Sequence, residues 1–312
     1  VSRDIDALID RQQMRRRLTR WRVGALVLLA LLVLAIFLQG GAATGLATNA
    51  PHIARVEING AITTDRALIA MLDKLAEDDD VEAVMLSINS PGGTAVGGEA
   101  IYEAVRRVAE EKPVAASVDT LAASAGYMIA AGSDHIVARR ASIVGSIGVL
   151  IQYPKIGGLL DKVGIEVKEV KSSPLKAEPS PFGASPPGTE EMLQSFIDDS
   201  YNWFVDLVAE RRPFDRAKAL QLADGSIYSG GQGLENGLID AVGGEKEAKS
   251  WLIEKAQIDE DTPLITRKPV RPEEGWFGTV TGLSLQNFLS KHFPRLVSER
   301  LFLDGLLAVW HG

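Results

Sequence analysis

The sequence predicts an α/β fold in which strands and helices alternate around a largely parallel sheet. Short β-branched runs recur ahead of glycine-rich turns, and most are followed by a span with apolar residues at helical spacing. A content of 46% hydrophobic residues over 312 positions supplies the core that such a fold needs. Strand, turn and helix succeed one another in order, which implies crossover connections between parallel strands.

In chain order, residues 53–58 alternate as a strand and close on Asn59-Gly60. Residues 65–76 place Leu68, Met71, Leu72 and Leu75 on one helical face, and residues 84–88 read as a second, buried strand. Pro91-Gly92-Gly93 follows directly, then a helix over about residues 97–110 that stops before Lys112-Pro113. A β-branched run at 114–118 leads through small residues to a helix that starts near Ser124, and a short strand is expected at 135–138. Residues 142–151 are β-branched and punctuated by glycine, which suits a strand whose backbone approaches something closely. A short helix at 156–163 and a strand at 165–170 precede a proline-rich loop over 171–188, long enough to suggest function. A long helix then spans 189–212, with Met192, Phe196, Tyr201, Phe204 and Val208 on one face. Residues 228–240 give a turn, a short helix and a strand, and 245–256 a closing helix. No internal repeat of 20 to 50 residues is visible.

Composition excludes several classes of chemistry. Cysteine is absent, so there are no disulfides, thiol nucleophiles or thiolate metal sites. The four histidines lack any zinc-hydrolase spacing, and neither a metal nor an organic cofactor is expected. The net charge of −8 divides unevenly, because residues 1–22 carry seven Arg against three Asp. A basic head before an acidic body argues for membrane orientation and against nucleic acid as a partner.

Behind those arginines, residues 23–38 are uncharged and apolar, and Gly and Ala extend the run to residue 43. Sixteen strongly apolar residues fall slightly short of the roughly 20 that span a bilayer, but Arg22 can snorkel and the Gly/Ala extension can lie in the interface. A retained anchor is favoured over a cleaved signal peptide, since the apolar region and the leader before it are both long for the latter. Either way the arginines stay cytoplasmic and the body is exported.

Ser124 stands at the predicted start of a helix, where backbone N–H groups lack intrahelical partners. An attacked carbonyl there would find an oxyanion donor in the N–H of Ala125. A lone serine in that place is more often only a helix cap. Gly92 or Gly93 offers a second donor with no side chain in the way. A base is harder to find, since His135 falls in a buried strand and His52 beside the linker. A lysine can serve when its amine is neutral, and Lys155, Lys162, Lys168, Lys171 and Lys176 all follow the serine.

Strand-S-P-G-G, A-S-A-G-Y, G-S-I-G-V, a K-S-x-x-x-K loop and G-L-E-N-G-L-I-D, in this order behind one N-terminal anchor, resemble the signal peptide peptidase A family of bacterial Ser-Lys peptidases. The resemblance covers about residues 52–257. It implies a nucleophile at Ser124, a general base at Lys176 with Lys171 in reserve, and a lysine-orienting hydroxyl at Ser146. It also implies an oxyanion hole from the backbone N–H of Ala125 and of Gly92 or Gly93. Ala125 replaces the family's usual Gly, Met128 an aromatic, and Ser173-Pro-Leu the usual residues before the lysine.

The implied fold is the ClpP/crotonase-like spiral of β-β-α units, assembled as a homo-oligomeric ring with pockets built across subunits. The implied organisation is a basic cytoplasmic segment (1–22), a transmembrane anchor (23–43), a linker (44–51), a peptidase domain (52–260) and a C-terminal extension (261–312). The implied place is the bacterial plasma membrane, single-pass, with the catalytic domain outside the cytoplasm. Signal peptides and other hydrophobic peptides are the implied substrates. Two alternatives share the fold: acyl-CoA chemistry, which export argues against because CoA is cytoplasmic, and a catalytically inactive tethered scaffold.

Overall fold

The computed structural model describes residues 50–271 and 307–309, with isolated helical positions at Trp21, Leu26 and Leu28. The expected membrane anchor lies outside the described residues apart from Leu26 and Leu28, and among the described residues no helix is long and apolar enough to cross a membrane.

The sheet grows outward from β1 (His52–Asn59), which pairs in parallel with β2 (Val81–Ser90). The helix α1 (Arg66–Glu77) connects them, its first N–H groups capped by the Asp65 carboxylate. Beyond β2 come a three-residue strand β3 (Gly92–Thr94), the helix α2 (Ala95–Glu111) and the central strand β4 (Val114–Ala123). β4 is ten residues long, twice the expected run; it pairs in parallel with β2 on one side and serves two neighbours on the other. Its first half pairs in parallel with β5 (His135–Ala138) and its end with β6 (Ile143–Gly145).

Between those halves the chain makes α3 (Ala125–Ala131), whose seven residues are all buried. The strand expected over 142–151 stops after three residues, because Gly145 and Ser146 both turn to positive φ, at 90° and 51°. After α4 (Gly157–Lys162), residues 165–170 form no strand. Val167 and Val170 face outward there, and a β-branched run without a neighbouring edge has no ladder to join.

The long helix α5 (Thr189–Arg211) and the short α6 (Arg216–Leu222) precede β7 (Ile227–Ser229), which pairs antiparallel with β6. The helix α7 (Gly230–Asn236), the strand β8 (Ala241–Val242) and the helix α8 (Glu245–Ala256) follow. A strand β9 (Leu264–Arg267) then returns to the open side of β1, so the sheet continues to Arg267. Last, β10 (Leu307–Val309) lies antiparallel to β3.

Helices cover both faces of the sheet. Val84, Leu86 and Ile88 of β2 pack with α1, α2 and α3 on one side, whereas Ala83 and Met85 meet Ala248 and Leu252 of α8 on the other. Burial on both faces is why residues 83–86 of β2 and 114–116 of β4 are apolar without alternating.

Candidate active site

Ser124 is the residue between β4 and α3, and its backbone is strained. Its φ of 55° and ψ of −120° belong to a region that glycine prefers, at a cost of about 1–3 kcal/mol for a residue with a Cβ. Two backbone hydrogen bonds hold it there. The Ser124 N–H donates to the Gly145 carbonyl at 2.8 Å, and its carbonyl accepts from the Met128 N–H at 2.9 Å, closing the first turn of α3. A serine forced into a sharp strand-to-helix turn presents its hydroxyl rather than using it as a cap. The Ser124 side chain indeed makes no capping hydrogen bond, and the N–H of Ala125, in the first turn, has no intrahelical acceptor.

The Ser90–Gly93 segment is built against that turn. Ser90 pairs in register with Ala122, and a Cβ on Gly126 would come within 2.9 Å of the Ser90 carbonyl oxygen, so only glycine lets α3 lie this close. The buried Ser90 Oγ donates to the Gly60 carbonyl at 2.7 Å and accepts from the Gly92 N–H at 3.1 Å. On one edge of β3 the Ile62 N–H donates to Gly92 O, and the Thr94 N–H donates to Ile62 O. These bonds engage the Gly92 donor and leave Gly93 as the residue whose N–H and C=O face the opposite edge. Of the two glycines that the sequence left open, Gly93 therefore has the donor turned away from Ile62, toward the edge on which β10 lies.

Ser146 is brought beside Ser124, since Ala123 pairs in register with Gly145. It is nearly buried, at φ 51°, and its N–H donates to the Ser226 carbonyl at 2.8 Å. Lys176 is different. It closes a turn through an N–H···O bond to Ser173 at 3.1 Å, its side chain is exposed, and no hydrogen bond or ion pair joins it to Ser124 among the described residues.

The loop that carries Lys176 is pinned by Lys171, whose Nζ sits 2.7 Å from Glu169 and 2.6 Å from Glu178. Glu178 in turn accepts from the Ser180 N–H. Hydrogen bonds to Glu169 and then Glu178 hold the Lys171 pKa above its ordinary value, the wrong direction for a base. Lys171 thus has the chemistry of a tether and not of the reserve base.

The histidines are remote from this chemistry. His135 stacks on Trp251 with ring centroids 4.7 Å apart, and it pairs with Ala115, roughly 30 Å of extended strand before Ser124. Burial lowers its pKa. His52 is buried, with Nε2 2.8 Å from Arg267. Among the described residues no group of acidic or histidine side chains is placed to hold a metal ion.

Sequence reading missed β3 as a strand and the clamp that Ser90 makes between Gly60 and Gly92. The only signal was the serine itself, one residue before Pro91-Gly92-Gly93.

Comparison with known proteins decides the family. Residues 106–259 match the family described as Peptidase family S49. A putative protease of Synechocystis sp. is 40% identical over 67% of this chain and 76% of its own length. The chain belongs to peptidase family S49. A protein of Enterococcus faecium named as a putative signal peptide peptidase SppA is 35% identical over 63% of this chain and 57% of that protein. Among solved structures, a ClpP1 mutant from Listeria monocytogenes aligns with a TM-score of 0.43 at 15% identity, covering 62% of this chain and 93% of that one. As an S49 peptidase, the protein is a serine peptidase on a mixed α/β fold.

Proposed function

We propose that this serine peptidase is a membrane-anchored endopeptidase of signal peptides and other hydrophobic peptides, working through Ser124 and Lys176. The observation that carries the reading is the strained φ of Ser124 at the start of α3, beside a Gly93 N–H turned to the edge of β3 away from Ile62. The Ser124 hydroxyl adds to the peptide carbonyl while the neutral Lys176 amine takes its proton. The N–H groups of Gly93 and Ala125 receive the oxyanion, the C–N bond breaks, and Lys176 returns the proton to the leaving amine. Water, deprotonated by the same amine, then adds to the acyl carbonyl, and the amine passes that proton to the departing Ser124 oxygen, which restores the hydroxyl and the neutral lysine. Ser146 orients the lysine.

The site is completed by a second copy of the chain in a ring, on the spiral fold of the ClpP/crotonase type. Support comes from residues 150–196, where Leu159, Val163, Val170 and Phe196 are exposed apolar side chains on the part of the chain that carries Lys176. Clustered apolar exposure of this kind marks an interface. The basic segment 1–22 and the apolar run behind it support a single-pass anchor in the bacterial plasma membrane, with the body outside the cytoplasm.

Detergent-solubilised protein should hydrolyse a hydrophobic peptide, with rates that rise with pH because only the unprotonated amine accepts the proton. Ser124→Ala and Lys176→Ala should each abolish turnover, and a fluorophosphonate should label the protein but not Ser124→Ala. Turnover retained in either variant would overturn the dyad. Absence of labelling in folded protein would favour the inactive scaffold.

A further inference from the structure

Ser146 is held in a conformation it would not adopt alone. Its φ of 51° lies in the left-handed region, where a residue with a Cβ persists only when its surroundings over-determine it. The turn Asp224-Gly225-Ser226 supplies that constraint by continuing the β6–β7 ladder for two more residues. The Ser146 N–H donates to the Ser226 carbonyl at 2.8 Å, and the Gly225 N–H donates to the Ile147 carbonyl at 3.2 Å. One residue before Ser146, the Gly145 carbonyl accepts from the Ser124 N–H. The turn therefore backs the stretch of chain that fixes both serines.

One side chain shapes the turn. Asp224 Oδ1 accepts from the Ser226 N–H at 2.9 Å, an Asx-turn with Gly225 at a φ of 84° that glycine adopts freely. The base of the turn is fixed from α5, where the Tyr201 hydroxyl donates to the carbonyl of buried Ala223 at 2.8 Å. Asp224 itself is exposed, and among the described residues no cation is paired with it. Hydrogen bonds from the Ser226 side chain and then from its N–H hold the carboxyl below its ordinary pKa, so it is ionised wherever a lysine can lose its proton. Its titratable neighbour, Tyr228 of β7, is pushed up by burial and then by the Asp224 charge, and keeps its proton up to alkaline pH.

We propose that Asp224 is a positioning residue of the peptidase, which through Ser226 sets the direction in which the Ser146 hydroxyl meets the lysine. The proposal rests on the Ser-Lys reading above, in which that hydroxyl orients Lys176. Ser146 is nearly buried, and among the described residues its hydroxyl has no hydrogen-bond partner, so its oxygen is available to an amine. An oxygen that accepts from an amine favours the charged form, so a misdirected hydroxyl lowers the lysine pKa as well as the rate.

The test compares Asp224→Asn, Asp224→Ser and Asp224→Ala with the unchanged full chain in detergent, reading kcat, KM, the pH–rate profile and the melting temperature. Asparagine keeps the accepting oxygen and should retain most of the activity, whereas serine makes the same turn more weakly and should fall between it and alanine. Asp224→Ala should lower kcat by about 10- to 100-fold with KM unchanged. Its pH–rate profile should also rise at lower pH than that of the unchanged chain, a displacement that loosening of an exposed turn alone would not produce. If Asp224→Ala melts below the assay temperature, Asp224→Ser carries the same comparison. The proposal is overturned if alanine leaves kcat unchanged, if asparagine loses as much as alanine, or if kcat falls while the pH–rate profile stays in place. Each of those results leaves the peptidase standing as long as the unchanged chain shows Ser124-dependent turnover. If the unchanged chain neither turns over peptide nor labels with fluorophosphonate, the Ser-Lys reading itself fails.

Discussion

Gly93 shows how narrowly this site tolerates change. A Cβ built there would lie 2.0 Å from the Ile62 carbonyl oxygen, so any side chain must push β3 away from Ile62 and re-aim its N–H. Gly93→Ala should lower kcat by about 100-fold or more, the usual effect of losing one oxyanion donor. Ser90→Ala should act on the same strand from behind. It leaves the Gly60 carbonyl and the buried Gly92 N–H without their shared partner and costs about 1–3 kcal/mol, measurable as a shift in the urea unfolding curve. The sequence gives no hint of that serine's double bond, because nothing local distinguishes it from any other residue of a turn. Ser124 was easier to read, because the start of an apolar helix admits a cap or a nucleophile and the resemblance of the whole motif set chose between them. Its strained φ was not legible, because strain is set by the partners that hold it, here Gly145 and Met128.

Among the elements, β4 and the short helix after it fix the site, and their packing against β2 is tight. Gly126→Ala should drive α3 off Ser90, lowering stability by about 1–3 kcal/mol and reducing turnover with it, to be followed by thermal melting and rate together. Most helices and the long strands were legible because their apolar spacing is local. Several short elements were not, α6 and the strand β7, read as a turn, among them. β3 is Gly-Gly-Thr and carries no side-chain pattern, β9 is a strand only because β1 has an open side, and β10 pairs with a segment more than two hundred residues earlier. The opposite error occurred at 165–170, where β-branched residues promise a strand and no edge is there to receive one. In the same region Lys171 shows why position alone could not choose between two lysines, since its two carboxylate partners are apparent only once the loop is folded.

Across the whole molecule, a buried polar cluster ties α5 to the sheet beneath α3. Arg212, only 4% exposed in its side chain, makes paired hydrogen bonds to Asp240 at 2.7 and 3.0 Å and bonds the Gly237 carbonyl. Arg212→Ala would leave Asp240 without that partner and should cost about 3–5 kcal/mol in the same unfolding assay. The cluster also sets a pH response. Burial lowers the His135 pKa below the ordinary value of about 6.5, so the unfolded chain binds a proton that the folded one refuses. Stability is therefore complete above that value and declines as pH falls through it. Although burial opposes it, the Arg212 guanidinium holds Asp240 below the usual carboxylate range, so a second decline follows only in strong acid. His135→Phe, which keeps a ring against Trp251, should remove the first decline, seen by comparing urea midpoints at neutral and mildly acidic pH. If the proposed ring forms through the exposed apolar face that includes Phe196, Phe196→Glu should convert it to smaller species by light scattering and lower activity in parallel.

β4 forks the sheet, with β5 along its first half and β6 at its tip, and Ser124 sits just past the fork. The Ser124 amide is bonded to β6 while the strand behind it is locked between β2 and β5. Its deuterium uptake should accordingly be among the slowest in the protein, and heat inactivation should coincide with global melting instead of preceding it.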